Sequence, residues 1–294
     1  MDLRPPGDQD QVLARLRGPL AADDPRVLDI LGRHYLTPPS TRPYNLSTDP
    51  LYKFAISNDD NTFLTINIEK LFGDQHGGFF VEAGAYDGER VSNTLRLEKE
   101  LGWTGLLIEP NHESYSKLTT KHRKAWTSNT CLSTENHPKE QVLVSLVKRL
   151  NSELSLQERM AAHRRIGSYL LGVKLNNTAY DRFIDTSDKS YSVVQCFPLA
   201  SYLLALKVST VDFLSLDIQG AEKSVLKNFP WDRITIRAMV VEEVHFKDFN
   251  HQFVDDMKNR GFVLVAKEGI DYIFVKTNDP LMKKVKPLPT QHKH

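Results

Sequence analysis

Cysteine is scarce in this chain. Cys131 and Cys196 are the only two among 294 residues, too few for a disulfide scaffold. Neither has a neighbour at metal-ligand spacing, so no zinc or other metal site is expected. Net charge is almost absent as well: 38 Lys+Arg stand against 37 Asp+Glu, a formal charge of +1. That balance gives no electrostatic reason to expect capture of nucleic acid or of an acidic membrane. No apolar run approaches the length that crosses a bilayer. Met1 to Asp10 is polar, contains two prolines and lacks the apolar core of a signal peptide. On these grounds alone the expectation is a soluble, cytoplasmic chain. No internal repeat or low-complexity tract stands out.

What is present is ordinary globular usage, 40% hydrophobic and 26% charged, enough for a substantial core. Residues 1–60 read as an N-terminal extension. It holds one helix opened by Asp24-Pro25 and running through Val27, Leu28, Ile30 and Leu31. An extended arm from Thr37 to Tyr44, rich in proline, follows. Residues 61–278 read as one domain. Helical spacing at Leu64, Ile68 and Leu71 precedes a turn at Gly77-Gly78. Continuous apolar runs then mark buried strands at Phe79 to Val81, Leu106 to Ile108, Val211 to Leu216 and Ile236 to Val241. Helical segments separate them, at Arg90 to Leu101, His112 to His122 and Ala221 to Asn228. This alternation predicts parallel βαβ units in an α/β, Rossmann-like, doubly wound sheet. A helix from Phe253 to Arg260 and two strands, Phe262 to Lys267 and Tyr272 to Lys276, close the domain, the strands pairing antiparallel at one edge. About 138–191 reads as an insertion beside the ligand mouth, with a strand at Gln141 to Val147 and a helix from Leu154 to Leu171. Residues 279–294 form a basic tail, read as solvated from Lys283 onward.

Four strand ends carry the candidate chemistry. In Phe80-Val81-Glu82-Ala83-Gly84-Ala85-Tyr86-Asp87-Gly88 a buried strand ends in an acid, and two glycines flank the turn that follows. The Gly-x-x-x-Gly spacing departs from the three-glycine dinucleotide fingerprint, which favours a cofactor without a pyrophosphate. Glu109 ends the next strand about 25 residues after Gly84, near the offset at which such folds place a carboxylate on ribose hydroxyls. Its plainer role is to favour the start of the following helix. Ser215-Leu216-Asp217-Ile218-Gln219-Gly220-Ala221-Glu222 repeats the pattern, so Asp217 is expected to share a crevice with Glu82 and Glu109. Asp217 is otherwise a helix cap, and Glu222 a first-turn acid favouring the helix dipole. At Val241-Glu242-Glu243-Val244-His245 the adjacent acids point to opposite faces, so only one looks into the crevice. His245 is a candidate base.

Taken together, these segments resemble the FkbM-type methyltransferase family. Beyond the stretches already quoted, the resemblance rests on Ser92-Asn93-Thr94-Leu95, Gly102 to Asn111, Phe213 to Ile218 with Gly220-Ala221-Glu222, and Asp271 to Val275. More narrowly the chain is similar to the animal Star-like branch, through Pro38-Pro39-Ser40, Pro43 to Leu46, Cys131-Leu132-Ser133, Cys196 to Leu199 and Phe229-Pro230-Trp231. Gln219 departs from the family, which usually has Glu there, and that weakens the case for catalysis more than the case for the fold.

The resemblance implies a sheet of the class I S-adenosylmethionine-dependent methyltransferase type and O-methyl transfer. On that reading S-adenosylmethionine lies across Glu82, Gly84, Ala85, Tyr86, Asp87 and Gly88, with Asn93 close by. Glu109 and Pro110 meet the ribose, and Leu132 and Ser133 the adenine. Asp217 orients the methionine moiety or the acceptor hydroxyl, and Asp217, Glu242 and His245 are the catalytic candidates. The Star-like branch implies instead a membrane-tethered protein of the secretory pathway lumen that carries growth-factor precursors from the endoplasmic reticulum towards the Golgi. The tether is not visible in this sequence. An adaptor of that kind would keep the fold and use a surface for protein cargo. The two cysteines are then either buried free thiols or a disulfide. The Star-like likeness and the sequons at Asn45 and Asn176 favour the bridge, which persists in an oxidising lumen.

Overall fold

The computed structural model describes residues 20–48, 62–147, 167–172, 188–243 and 249–288. Its main sheet is built from β1 (Phe79–Ala83), β2 (Thr104–Ile108), β3 (Trp126–Ser128), β8 (Thr210–Leu216), β9 (Thr235–Glu242), β10 (Phe262–Glu268) and β11 (Asp271–Lys276), in the order β10-β11-β9-β8-β1-β2-β3. Every pairing is parallel except those of β11, which runs antiparallel to both β9 and β10. The expected closing pair is therefore present, with β10 at the edge.

Alternation along the strands buries both faces, as expected of parallel strands covered by helices. Val81, Ala83, Leu106, Ile108, Leu214, Leu216 and Met239 face one layer. That layer holds α1 (Pro25–Ile30), α5 (Leu199–Ala205), α6 (Glu222–Lys227) and α7 (His251–Asn259). Phe80, Leu107, Phe213, Ala238 and Val240 face the other, which holds α2 (Thr62–Phe72), α3 (Leu95–Leu101) and α4 (His112–Thr120). The chain is thus a mixed α/β protein with helices on both faces of one sheet.

Helix α3 begins at Leu95 and not at Arg90. Residues 84–94 are held as a loop: Asp87 accepts from the amides of Glu89 and Arg90, at 3.0 and 2.8 Å. Tyr86 and Val91 take positive φ, which no helix accommodates. The N-terminal arm lies along edge strand β3. Thr37 and Thr127 exchange both backbone hydrogen bonds at 2.9 Å, and Ser40 N–H donates to Arg123 O at 3.0 Å. An edge that could template aggregation is covered in this way.

Strands between Cys131 and Phe197 form a second sheet. Its strands are β4 (Cys131–Leu132), β5 (Lys139–Val147), β6 (Ser168–Leu170) and β7 (Asp188–Phe197), in the order β4-β7-β5-β6. The helix expected over Leu154 to Leu171 is corrected at its described end, where Ser168 and Leu170 pair with Ser145 and Leu143 as a strand; residues 154–166 lie outside the described residues. Cys131 and Cys196 face each other across β4 and β7 and form a disulfide, with Cα atoms 4.3 Å apart. The tail read as solvated from Lys283 is docked as far as residue 288. Leu281 is buried, Lys284 Nζ donates to Leu71 O at 2.8 Å, and Leu288 N–H donates to Leu264 O at 2.8 Å. Among the described residues no helix is long and apolar enough to cross a membrane.

Candidate functional site

The chain leaves β1 towards β2 on one side and returns to β8 and β9 on the other. The strand order therefore reverses between β1 and β8. Open α/β sheets bind ligands at such a point, beyond the carboxyl ends of the strands. A cavity of about 810 Å³ opens there, within the range of small-molecule sites. The second sheet contributes Leu143, Ser145, Ser168 and Leu170 to its lining, and α2 contributes Phe63 and Leu64.

Gly84 sets the floor. Its amide donates to Ile108 O at 3.0 Å, while Asp217 N–H donates to Ala83 O at 3.1 Å, so three strand ends are tied together here. Its φ is +84°, and a Cβ on Gly84 would overlap the Asp217 carbonyl oxygen. Only glycine fits.

Glu109 braces the two loops beside it. One oxygen accepts from Tyr86 N–H and the other from Asn111 N–H, both at 2.8 Å. Each oxygen keeps a further lone pair for a ligand. Burial pushes this carboxyl up to about 8, the two amides oppose the shift, and the Asp217 and Asp87 charges reinforce it. Asn111 caps α4 through Ser114 N–H at 3.0 Å and donates to Ser145 and Ser168 at 2.8 and 3.2 Å. The second sheet is thereby fastened to the end of β2.

Across the sheet a row of carboxylates continues. Leu216 pairs with Val241 and Glu242 with Asp271, so Asp217, one residue beyond β8, stands in a row with Glu242 of β9 and Asp271 of β11. Asp217 and Glu242 are within hydrogen-bonding reach of one another. Burial raises both, and Glu242 is lifted further because Asp217, Asp271 and Glu222 surround it. Like charges this close do not all ionise, so the pair holds a proton. Among the described residues no group of three or more His, Cys, Asp or Glu is arranged to hold a metal ion.

Of the residues singled out by sequence, Gly84, Tyr86, Asn93, Glu109, Pro110, Leu132, Asp217 and Glu242 line this cavity. Glu82 needs correction. It shares a strand face with Phe80, so its side chain turns towards the loop before α3. There it accepts from Ser92 Oγ (2.8 Å), Asn93 N–H (2.8 Å) and Thr94 Oγ1 (2.5 Å). Ala85, Asp87, Gly88 and Ser133 also lie outside the lining. Asp87 caps its own loop, a Cβ on Gly88 would press on Leu118, and Ser133 Oγ donates to His137 O at 2.8 Å. Glu243 turns away, buried against Lys223 at 2.9 Å. His245 lies outside the described residues.

Sequence reasoning missed Asn111, Ser145, Ser168 and Asp271. The alternation Ser168-x-Leu170 was a usable strand signal. Asp271 had none, because its place beside Glu242 depends on the register of an antiparallel pair.

Glu222 shows why this floor responds to pH. One of its oxygens accepts from Ile218 N–H (2.8 Å) and Gly220 N–H (3.1 Å), while the other is buried with no donor. Burial pushes this carboxyl, like Glu109, up to about 8. In the unfolded chain such groups titrate near 4.5, so the folded state binds protons more tightly. The stability gained is therefore full below about pH 4.5 and is lost as pH rises through about 8. The melting temperature of the ligand-free protein should fall between pH 6 and 9, and Glu222→Gln should flatten part of that slope, on the order of 2 kcal/mol. Identical slopes for the two proteins would overturn this account.

Fold and site together define a doubly wound α/β protein with an acid-lined ligand cavity at its switch point. The chain belongs to the FkbM methyltransferase domain family, whose profile matches residues 82–264, more than half its length. The family implies a methyl donor, usually S-adenosylmethionine. Among solved structures, the methyltransferase FkbM from Methylobacillus flagellatus KT is similar at 10% identity and a TM-score of 0.38. The match covers 77% of this chain and 58% of that one. A proposed RNA methyltransferase from Pyrococcus horikoshii is similar at 11% identity and a TM-score of 0.32, over 92% of this chain and 99% of the other. No curated protein matches the chain.

Proposed function

We propose that this chain is a class I-type, S-adenosylmethionine-dependent O-methyltransferase. The carrying observation is the cavity at the switch point, where Gly84, Glu109 and Asp217 converge. Its volume and donor set fit the cofactor. Glu109 has lone pairs left for a ribose diol, Leu132 offers apolar surface near the adenine end, and Arg90 and Asn93 give polar groups beyond the glycine turn. When bound, S-adenosylmethionine supplies an electrophilic methyl group. The protein's own contribution is orientation, exclusion of water by the second sheet, and a carboxyl pair able to take the proton of an acceptor hydroxyl. Within that pair Asp217 is the acceptor of the proton, and Glu242 its partner.

Titration calorimetry with S-adenosylmethionine and with its demethylated product tests the reading. Wild-type protein should bind both, and Glu109→Ala should weaken binding by about 1–3 kcal/mol, the scale of a buried hydrogen-bond partner lost. No heat and no thermal shift at high ligand concentration would sink it.

The disulfide favours a second reading, in which this Star-like chain works in the lumen of the secretory pathway as a carrier of growth-factor precursors. Bridges persist in that compartment and are rare in the cytosol. Non-reducing mass spectrometry of protein recovered from cells decides it: two alkylatable thiols would remove the support for a lumenal location.

A further inference from the structure

Asp217 and Glu242 differ in one respect that is visible in their surroundings. Gln219 Nε2 donates to Asp217 Oδ1 at 2.6 Å. An amide N–H can serve only an oxygen that accepts, so it favours the ionised form of that carboxyl. Glu242, in contrast, stands between Asp217 and Asp271 in the strand register, flanked by negative charge on both sides. We propose that Gln219 is a positioning residue that makes Asp217 the ionised member, and Glu242 the protonated member, of a one-proton pair facing the acceptor end of the cavity.

The turn that carries Gln219 is built to hold it there. Gln219 has φ of +53° and Gly220 of +100°, so the chain doubles back immediately after β8. A side chain other than Gly, Asn or Asp in this region is held against a steric cost, and here the surroundings enforce it. Glu222 fixes the turn from below by accepting from Ile218 N–H and Gly220 N–H. From above, Gly167 packs against the Gln219 amide: a Cβ on Gly167 would lie 3.4 Å from Gln219 Oε1. The amide therefore reaches Asp217 from a fixed direction.

Other charged groups line the cavity around the pair, among them Glu113 and Lys117 of α4. Glu109 follows β2, Glu222 opens α6, Asp271 opens β11 and Glu268 ends β10, all of them acids. Arg90, from the loop after β1, is a cation lining the same cavity. Against so many acids a carboxylate at 219 would add repulsion where the amide adds a donor. The upward displacement of Glu242, caused by burial and then by Asp217, agrees with this assignment.

The inference rests on the reading of this cavity as the reaction site, but its test does not require cofactor. Side-chain carboxyl carbons of Asp217 and Glu242 are followed by NMR across pH in ligand-free protein, assigned with Asp217→Asn and Glu242→Gln. Two variants remove the amide in different ways: Gln219→Met keeps the volume and Gln219→Gly relieves the positive φ. In both, the low-pH step of the pair should move up by about one pH unit, a tenfold change in proton affinity. Gln219→Glu should move it further in the same direction. If neither Met nor Gly shifts the step, or if they shift it in opposite directions, the proposal is overturned. A shift in a protein that binds no S-adenosylmethionine would leave the role of Gln219 standing and remove the methyl-transfer reading instead.

Discussion

Arg123→Ala should lower folding stability by about 3–5 kcal/mol, the cost of breaking a buried ion pair from one side. The guanidinium and the Glu98 carboxylate are both fully buried, and Nε meets Glu98 at 3.0 Å. The remaining donors tie down the loop between β1 and α3: one nitrogen reaches Thr94 Oγ1 at 3.1 Å, another Ser92 Oγ at 3.2 Å and the Gly88 carbonyl. Glu98 in turn accepts from Tyr44 of the N-terminal arm at 3.1 Å and from Lys124 N–H at 2.6 Å. Alanine leaves Glu98 charged and buried without its cation, and strands the acceptors of the loop beneath the cavity. Lysine should rescue only in part, since its three donors share one nitrogen and cannot span the positions that Nε and the two Nη atoms reach. Exposed pairs such as Arg26–Asp24 have no comparable effect, because water screens them. Urea unfolding gives the measurement. A loss below about 1 kcal/mol would show that this network does not hold the loop.

How much of this was legible in the sequence follows from what each feature depends on. Strands β1, β2, β8 and β9 announce themselves as short apolar runs, because parallel strands covered on both faces must be apolar throughout. The glycine turn at Gly84 and the acids at 109, 217 and 242 sit one step from those runs, so they were readable too. Glu82 was misplaced for the same reason. It lies inside a strand, and period-two alternation puts it with Phe80, whose side chain packs under the sheet. The start of α3 was misread because Leu95, Leu97 and Leu101 continue a helical rhythm that the positive φ values at Tyr86 and Val91 interrupt. Strand β6 is three residues long and pairs with β5 alone, so its Ser168-x-Leu170 alternation is too short a signal to outweigh the helical spacing read across it. The cavity wall it completes, with Asn111 bridging to Ser145 and Ser168, is a product of long-range pairing.

The second sheet is also where the largest remaining effect is expected. Strand β4 is two residues long and meets β7 through only two register pairs, Cys131 with Cys196 and Leu132 with Phe197. Backbone pairing on that scale is a weak hold of β4, which follows β3 by two residues, on the rest of the sheet that walls the cavity. The Cys131–Cys196 bridge makes that hold covalent, and it closes a loop across a sequence separation of 65. Loop-closure entropy gives about 4 kcal/mol for a bridge of that span. Leu143, Leu170 and Ala221 pack with the two cysteines as one buried cluster. Replacing both cysteines with alanine therefore keeps most of the packing and removes the link, which isolates the covalent contribution. The double variant, and wild type treated with a phosphine reductant, should both unfold about 4 kcal/mol more easily than the oxidised protein. Cys131 and Leu132 line the cavity, so loss of the bridge should weaken S-adenosylmethionine binding as well, whereas a purely global effect on stability would leave the affinity of the folded fraction unchanged. Equal denaturation midpoints for the oxidised and reduced forms would mean that β4 is held to β7 by other contacts and that the bridge adds no stability.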